Sequence, residues 1–235
     1  MGQARLEFAA ELRFFLAPAA RNGEVVTPLD GTSSVGHVVE SFGVPLPEVG
    51  DLVVDGRSVP PSYHPQDGNV VRVLPVGRPQ PVPVRPPRFT LDVHLGTLAR
   101  RLRLVGLDTD YHNDIDDEAL VELADREKRV LLTQDRGLLR RRSLWFGAYV
   151  RGARPEEQFR DVLDRFAPPL APWTRCTACN GLLAPVAKET IEHLLQPGTR
   201  RSYDGYARCR ACGRLYWKGA HHRRLQAIVD AALSD

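Results

Sequence analysis

Apolar positions change their period along this chain. In "ARLEFAAELRFFL", Ala4 to Leu16, apolar and polar residues alternate, which is the period of a half-buried strand. "RNGEVVTPL" supplies a turn and a second strand. "GTSSVGHVVESFGV" shifts to helical spacing, with Val35, Val38, Val39 and Phe42 on one face and Ser33 or Ser34 as N-cap. "DLVVDGRSV", ending in an Asp55-Gly56 turn, and "NVVRVLPV" return to strand patterning. Two hairpins around one helix predict an α+β unit of the β-grasp kind over residues 1–77.

"RPQPVPVRPPR", Arg78 to Arg88, interrupts the pattern with five prolines. Proline fixes φ and removes a backbone donor, so this stretch is expected as an extended polyproline-type linker between two folding units. Strand and helix then alternate. "RFTLDV" is apolar and short. "HLGTLARRLRLVG" puts Leu95, Leu98, Ala99, Leu102 and Val105 on one helical face and Arg100, Arg101 and Arg103 off it, with Gly106 as the stop. "LDTDYH", "DDEALVELADRE", "RVLLTQD", "RGLLRRR", "AYVRG" and "PEEQFRDVLDRF" continue the alternation. That order predicts an α/β unit, a parallel sheet with flanking helices on both faces. A further proline-rich break, "APPLAPW", suggests a boundary near 167. The expected division is 1–77, linker 78–88, 89–167 and 168–235.

In an open parallel sheet, sites form beyond the carboxyl ends of the strands. Asp92 ends the first strand of the second unit, "NDIDDE" at 113–118 follows the second strand, and Asp135 ends the third. Converging carboxylates repel one another unless a cation neutralises them, and oxygen-only ligands suit Mg²⁺ or Mn²⁺. Each aspartate also has a plainer explanation. Asp116 or Asp117 makes a good N-cap, and Asp135 suits the N-cap of "RGLL". The catalytic candidates are therefore Asp92, Asp116, Asp117 and Asp135.

The cysteines number four and form two C-x-x-C knuckles, Cys176/Cys179 and Cys209/Cys212, with 29 residues between them. This spacing predicts one tetrahedral, structural zinc site, a zinc ribbon that replaces the core so small a unit lacks. His221 and His222 are surplus to such a site. Charge then divides the chain. Residues 1–80 carry net −3, residues 81–150 net +1 and residues 151–235 net +5. A basic C-terminal third suits a polyanion. Arg208, Arg210, Arg214 and Lys218 lie among Tyr203, Tyr206, Tyr216 and Trp217, as in sites for single-stranded nucleic acid. The plainer reading of Tyr216 and Trp217 is packing on the knuckle. Arg136, Arg140, Arg141 and Arg142, just past Asp135, are candidates for flanking phosphates.

The stretch at 88–142 closely resembles the Mut-seven carboxy-terminal RNase-domain family, a branch of the PIN-like nucleases, and the likeness continues to about 221. The shared features are Asp-x-x-Leu-Gly-x-Leu-Ala-x-x-Leu-Arg at 92–103, Gly-x-Asp-Thr at 106–109, the Asp-Asp-Glu helix start and Leu-Thr-x-Asp-x-x-Leu at 132–138. "CNG" at 179–181 and "YWKGAHH" at 216–222 extend the likeness into the ribbon. The resemblance implies a PIN-like metal-dependent RNase in which Asp92, Asp117 and Asp135 hold Mg²⁺ or Mn²⁺, with Asp116 as second choice. Many members carry Arg where this chain has Gln134. Bacterial members often carry a ubiquitin-like domain in front, which fits residues 1–77. That segment is also similar to the ubiquitin-like sulfur carriers. Those need a free Gly-Gly end, whereas here the last strand runs on into Val76-Gly77-Arg78-Pro79.

The expected activity is metal-dependent cleavage of RNA phosphodiester bonds. The rival is a non-catalytic RNA-binding or RNP-assembly module with a structural zinc ribbon. RNA, single-stranded, is the expected partner, and the β-grasp unit is a candidate surface for a protein partner. No apolar stretch approaches the ~20 residues that cross a bilayer. Glu7, Glu11 and Arg13 interrupt any leader-like start, so no membrane association and a cytoplasmic location are expected.

Overall fold

The computed structural model describes residues 2–220 and 222–234, so His221 lies outside the described residues. The first unit contains β1 (Gln3–Phe8), β2 (Glu24–Pro28), α1 (Val35–Ser41), β3 (Val49–Val54), β4 (Arg57–Val59) and β5 (Val70–Pro75). Its sheet runs β2-β1-β5-β3-β4, with β1 and β5 parallel at the centre and antiparallel pairs outside. Leu6, Phe8, Val35, Val39, Val71 and Val73 form the core beneath α1. Ser34 caps α1, its hydroxyl accepting from the His37 amide at 3.3 Å. Asp55 and Gly56, at φ 47° and 83°, make the two-residue turn between β3 and β4 that matches strand twist.

The alternation after β1 does not continue as strand. Ala10–Phe15 is a 3₁₀ helix. Leu12 and Phe15 are three residues apart, which stacks them on one side of such a helix, and both are buried.

The second unit contains β6 (Phe89–Leu91), α2 (Gly96–Leu104), β7 (Thr109–Tyr111), α3 (Asp117–Glu127), β8 (Val130–Thr133), α4 (Arg136–Leu139), β9 (Gly147–Tyr149) and α5 (Pro155–Phe166). The sheet order is β7-β6-β8-β9 and every pair is parallel. Phe89, Leu91, Val130 and Leu132 pack with α2 and α5, while Leu131 packs with Leu120, Val121 and Ala124 of α3. Both faces are thus covered, as near-continuous apolar strands require. Chain direction across the sheet reverses between β6 and β8, so the switch-point crevice opens at their carboxyl ends.

Residues 78–88 contain neither helix nor strand, yet they lie strapped along α5 rather than free. Arg78 pairs with Asp161 at 2.7 Å and Asp164 at 2.6 Å. Val82 enters the core of the second unit. The β-grasp unit is also seated directly on its neighbour. Phe14 and Phe15 lie against Tyr149, with ring centroids 5.5 and 5.0 Å away.

The C-terminal part holds β10 (Leu183–Val186), α6 (Lys188–Ile191), α7 (Pro197–Ser202), β11 (Tyr206–Cys209), β12 (Leu215–Trp217) and α8 (His222–Ser234). The three strands form an antiparallel sheet in the order β10-β11-β12. Helix α8 leaves this ribbon and inserts Val229 into the core of the α/β unit. Among the described residues no helix is long and apolar enough to cross a membrane.

Candidate functional site

Because β6, β7 and β8 are parallel, the residues that follow them share one rim. Asp92 leaves β6 with its amide donating to Leu132 O of β8 at 3.1 Å, which pins it at the crevice. Its carboxylate is buried, at 7% exposure. The Thr133 hydroxyl donates to Asp92 Oδ2 at 2.7 Å and accepts from the Asp135 amide at 2.8 Å. One wholly buried hydroxyl therefore links the Asp92 carboxylate to the backbone of Asp135. Sequence reading missed Thr133. The available signal was a polar residue closing a fully apolar strand, two positions before Asp135.

The two caps sort themselves out. Asp116 accepts from the Ala119 amide at 2.8 Å and is the N-cap of α3, while Asp117 is the first helical residue and is exposed. Asp135 accepts from the Gly137 amide at 2.6 Å and caps α4. A group of three or more metal-ligating side chains with all donor atoms within 4.8 Å of one another occurs, among the described residues, at the four cysteines, not at the aspartates. The rim brings the aspartates to one edge of the sheet without closing them into a finished cage.

Of the two buried carboxylates among the described residues, Glu48 pairs with Arg165, whereas Asp92 has no ion pair. Asp108, Asp125, Asp161 and Asp164 each pair with Arg or Lys. Asp92, Asp114, Asp116, Asp117, Glu118 and Asp135 have no cationic side chain within ion-pair distance among the described residues. A buried carboxylate with one hydroxyl for company is costly unless a cation joins it, so this donor set fits a hard divalent ion.

Tyr111 closes the other side of the rim. Its hydroxyl donates to Val93 O at 2.8 Å. Gly96 leaves room for this: a Cβ there would stand 2.6 Å from the Tyr111 oxygen. Gln134, where the resemblance favours Arg, donates to Val150 O at 3.0 Å and Gly152 O at 2.8 Å, tying β8 to the segment after β9.

Two of the arginines expected on the nucleic-acid side point elsewhere. Arg136 donates to Phe15 O at 2.7 Å and Phe14 O at 3.3 Å, with its guanidinium 4.9 Å from the Phe15 ring centroid. Arg140 donates to Glu40 O at 2.7 Å. Both are occupied by the β-grasp backbone, which sequence spacing gave no means to foresee. Arg141, Arg142, Arg208, Arg210, Arg214 and Lys218 are exposed and form no ion pair among the described residues.

The four cysteine sulfurs close on one another, Cys176 to Cys212 at 3.7 Å and Cys179 to Cys209 at 3.4 Å. Sulfurs at ~2.3 Å around a tetrahedral ion stand at about this separation, so the set could hold a metal ion such as zinc. Crowding divides the thiols. Loss of water opposes the Cys176 thiolate, but the Tyr216 hydroxyl at 3.0 Å and nearby amides bring the thiol down to about 6. Cys179 is pushed up to about 12, first by loss of water and then by the sulfurs of its neighbours. Tyr216 thus packs on the knuckle, whereas Trp217 is 41% exposed.

The knuckle is fastened to the opposite end of the sheet from the rim. Asn180 accepts from the Thr109 amide at 3.0 Å and donates to Asp108 at 2.8 Å. Arg103, expected off the apolar face of α2, is instead 3% exposed. It donates to Thr109 O at 2.8 Å and Ala178 O at 2.9 Å. Those carbonyls are what allow a guanidinium to be buried there.

Comparison with known proteins agrees with this architecture. Residues 87–229 match the Mut7-C RNAse domain, and residues 1–81 match the Mut7-C ubiquitin domain. No curated protein and no solved structure matches. With the carboxylate rim, the cysteine cluster and the β-grasp front all inside those two matches, the chain belongs to the Mut7-C RNAse domain family and carries that family's ubiquitin-like domain ahead of it.

Proposed function

We propose that this protein is a metal-dependent ribonuclease acting on single-stranded RNA in the cytoplasm. The observation that supports the reading best is the unpaired rim. In a chain with 29 arginines, Asp92, Asp135 and the acids at 114–118 form no ion pair among the described residues, and Asp92 does so while buried. Asp92, Asp135 and Asp117 would hold Mg²⁺ or Mn²⁺, with Asp116 kept for its cap. Bound there, the ion supplies charge neutralisation at the phosphate and a more acidic water.

The chain's own residues do the rest. Thr133 fixes Asp92 and the Asp135 backbone. Arg141 and Arg142 lie close enough in sequence to Asp135 to hold phosphates flanking the scissile bond. Arg208, Arg210, Arg214 and Lys218 offer a second set of phosphate contacts, and exposed Trp217 offers a stacking face. Zinc held by the four cysteines would be structural, since no ligand position is left open.

The non-catalytic RNA-binding reading draws on the caps: Asp116 and Asp135 both already serve helices. Labelled single-stranded RNA with Mn²⁺ or Mg²⁺ separates the two. Cleavage that disappears in Asp92→Asn and Asp135→Asn supports the nuclease. Binding without any metal-dependent product supports the module.

A further inference from the structure

The arginines that follow Asp135 raise a different possibility from RNA contact. Helix α4 is a single turn of four residues, and Asp135 is its N-cap. A turn that short has little stability of its own, so its position depends on what holds it. Arg136 and Arg140 are four apart and lie on one face of the turn. That face meets the β-grasp unit, through Phe14 O and Phe15 O on one side and Glu40 O on the other. Gly43, at φ 102°, makes the junction possible: a Cβ there would stand 2.7 Å from Phe15 O, the acceptor that Arg136 uses. From Arg136 the chain passes directly to Asp135, whose amide donates to Thr133, whose hydroxyl donates to Asp92.

We propose that the β-grasp domain is a fixed part of the carboxylate site, and that Arg136 is a positioning residue through which it sets Asp135 relative to Asp92. The inference rests on the nuclease reading for its functional consequence, but not for its geometry. A charged side chain bonded to two carbonyls and laid over an aromatic ring is a stiff coupling, because planar guanidinium geometry allows few alternatives. Loss of groups that orient metal ligands typically lowers metal affinity while leaving the ligands in place.

Two full-length variants test this from opposite sides of the junction. Arg136→Ala removes the donor, and Gly43→Ala displaces the acceptor from within the β-grasp domain. Both are first checked for a cooperative melt. Each is expected to raise the Mn²⁺ concentration for half-maximal cleavage by about tenfold, with the KM for RNA changed by less than about twofold. Each is also expected to accelerate amide hydrogen exchange across residues 133–139. A rise in RNA KM in Arg136→Ala alone, with Gly43→Ala behaving as wild type, would overturn the proposal in favour of direct RNA contact. Unchanged exchange at 133–139 in both variants would overturn it outright. If wild-type protein neither cleaves RNA nor binds Mn²⁺, the nuclease reading fails by itself, and the exchange measurement still decides whether the β-grasp domain holds the Asp135 turn.

Discussion

Glu48 of the β-grasp domain and Arg165 of α5 form an ion pair at 2.6 Å with both side chains sealed from water, at 0% and 1% exposure. The same carboxylate oxygen accepts from the Tyr149 amide at 2.8 Å, and Arg165 also donates to Gln80 at 2.7 Å. The pair therefore joins the first domain, the proline-rich strap and the last strand of the α/β sheet at one point.

Breaking half of such a pair leaves the other charge buried and uncompensated. Glu48→Leu or Arg165→Met is expected to destabilise the protein by about 3–5 kcal/mol, whereas the double variant Glu48→Leu/Arg165→Met should recover much of that loss. Urea denaturation of the three variants, treated as a double-mutant cycle, checks this. A loss in the double variant equal to the sum of the two single losses would show that the pair is not coupled.

Thr133 offers a sharper test of the rim. Thr133→Val keeps the shape and removes the hydroxyl, leaving Asp92 Oδ2 and the Asp135 amide without their shared partner. A stability loss of about 1–3 kcal/mol is expected for the unsatisfied buried groups, together with a fall of about 10–100-fold in divalent-metal affinity. Thr133→Ser should restore both, measured by thermal melting and by Mn²⁺ titration.

Ribbon anchoring should weaken in acid. Burial opposes the Asp108 carboxylate, but hydrogen bonds from Arg129 and Asn180 and the charges of Arg129 and Arg175 outweigh it and hold the group below the usual carboxylate range. A depressed carboxylate stabilises the fold above its unfolded value of 3.8 and loses that contribution as pH falls through the lower folded value. Asp108→Asn should therefore cost stability at neutral pH and flatten the acid limb below pH ~4 in a stability–pH profile. Parallel curves for variant and wild type would rule this out.

Nucleic-acid affinity should divide the arginines. Arg208→Ala, Arg210→Ala, Arg214→Ala and Lys218→Ala are each expected to weaken RNA binding and reduce the slope of log affinity against log salt by about 0.7 per lost phosphate contact. Arg136→Ala and Arg140→Ala should leave that slope unchanged, since their guanidinium groups are held by Phe14, Phe15 and Glu40. Fluorescence anisotropy at several salt concentrations reads both sets.

What the sequence determined by itself follows from short range. Strand and helix alternation from Phe89 to Phe166 was legible because apolar period is set by residues a few positions apart, and parallel order then placed Asp92 and Asp135 on one rim. The knuckle spacing of Cys176, Cys179, Cys209 and Cys212 was legible for the same reason. Tertiary structure alone decided where the cations went. Arg136 meets Phe15 across 121 positions, Arg165 meets Glu48 across 117, and Arg103 meets Ala178 across 75. Local pattern marks an arginine as polar and assigns it to solvent or to phosphate. Only the docked fold supplies the carbonyls and the carboxylate that these guanidinium groups meet, and so makes the three arginines joints that hold the domains and the site together.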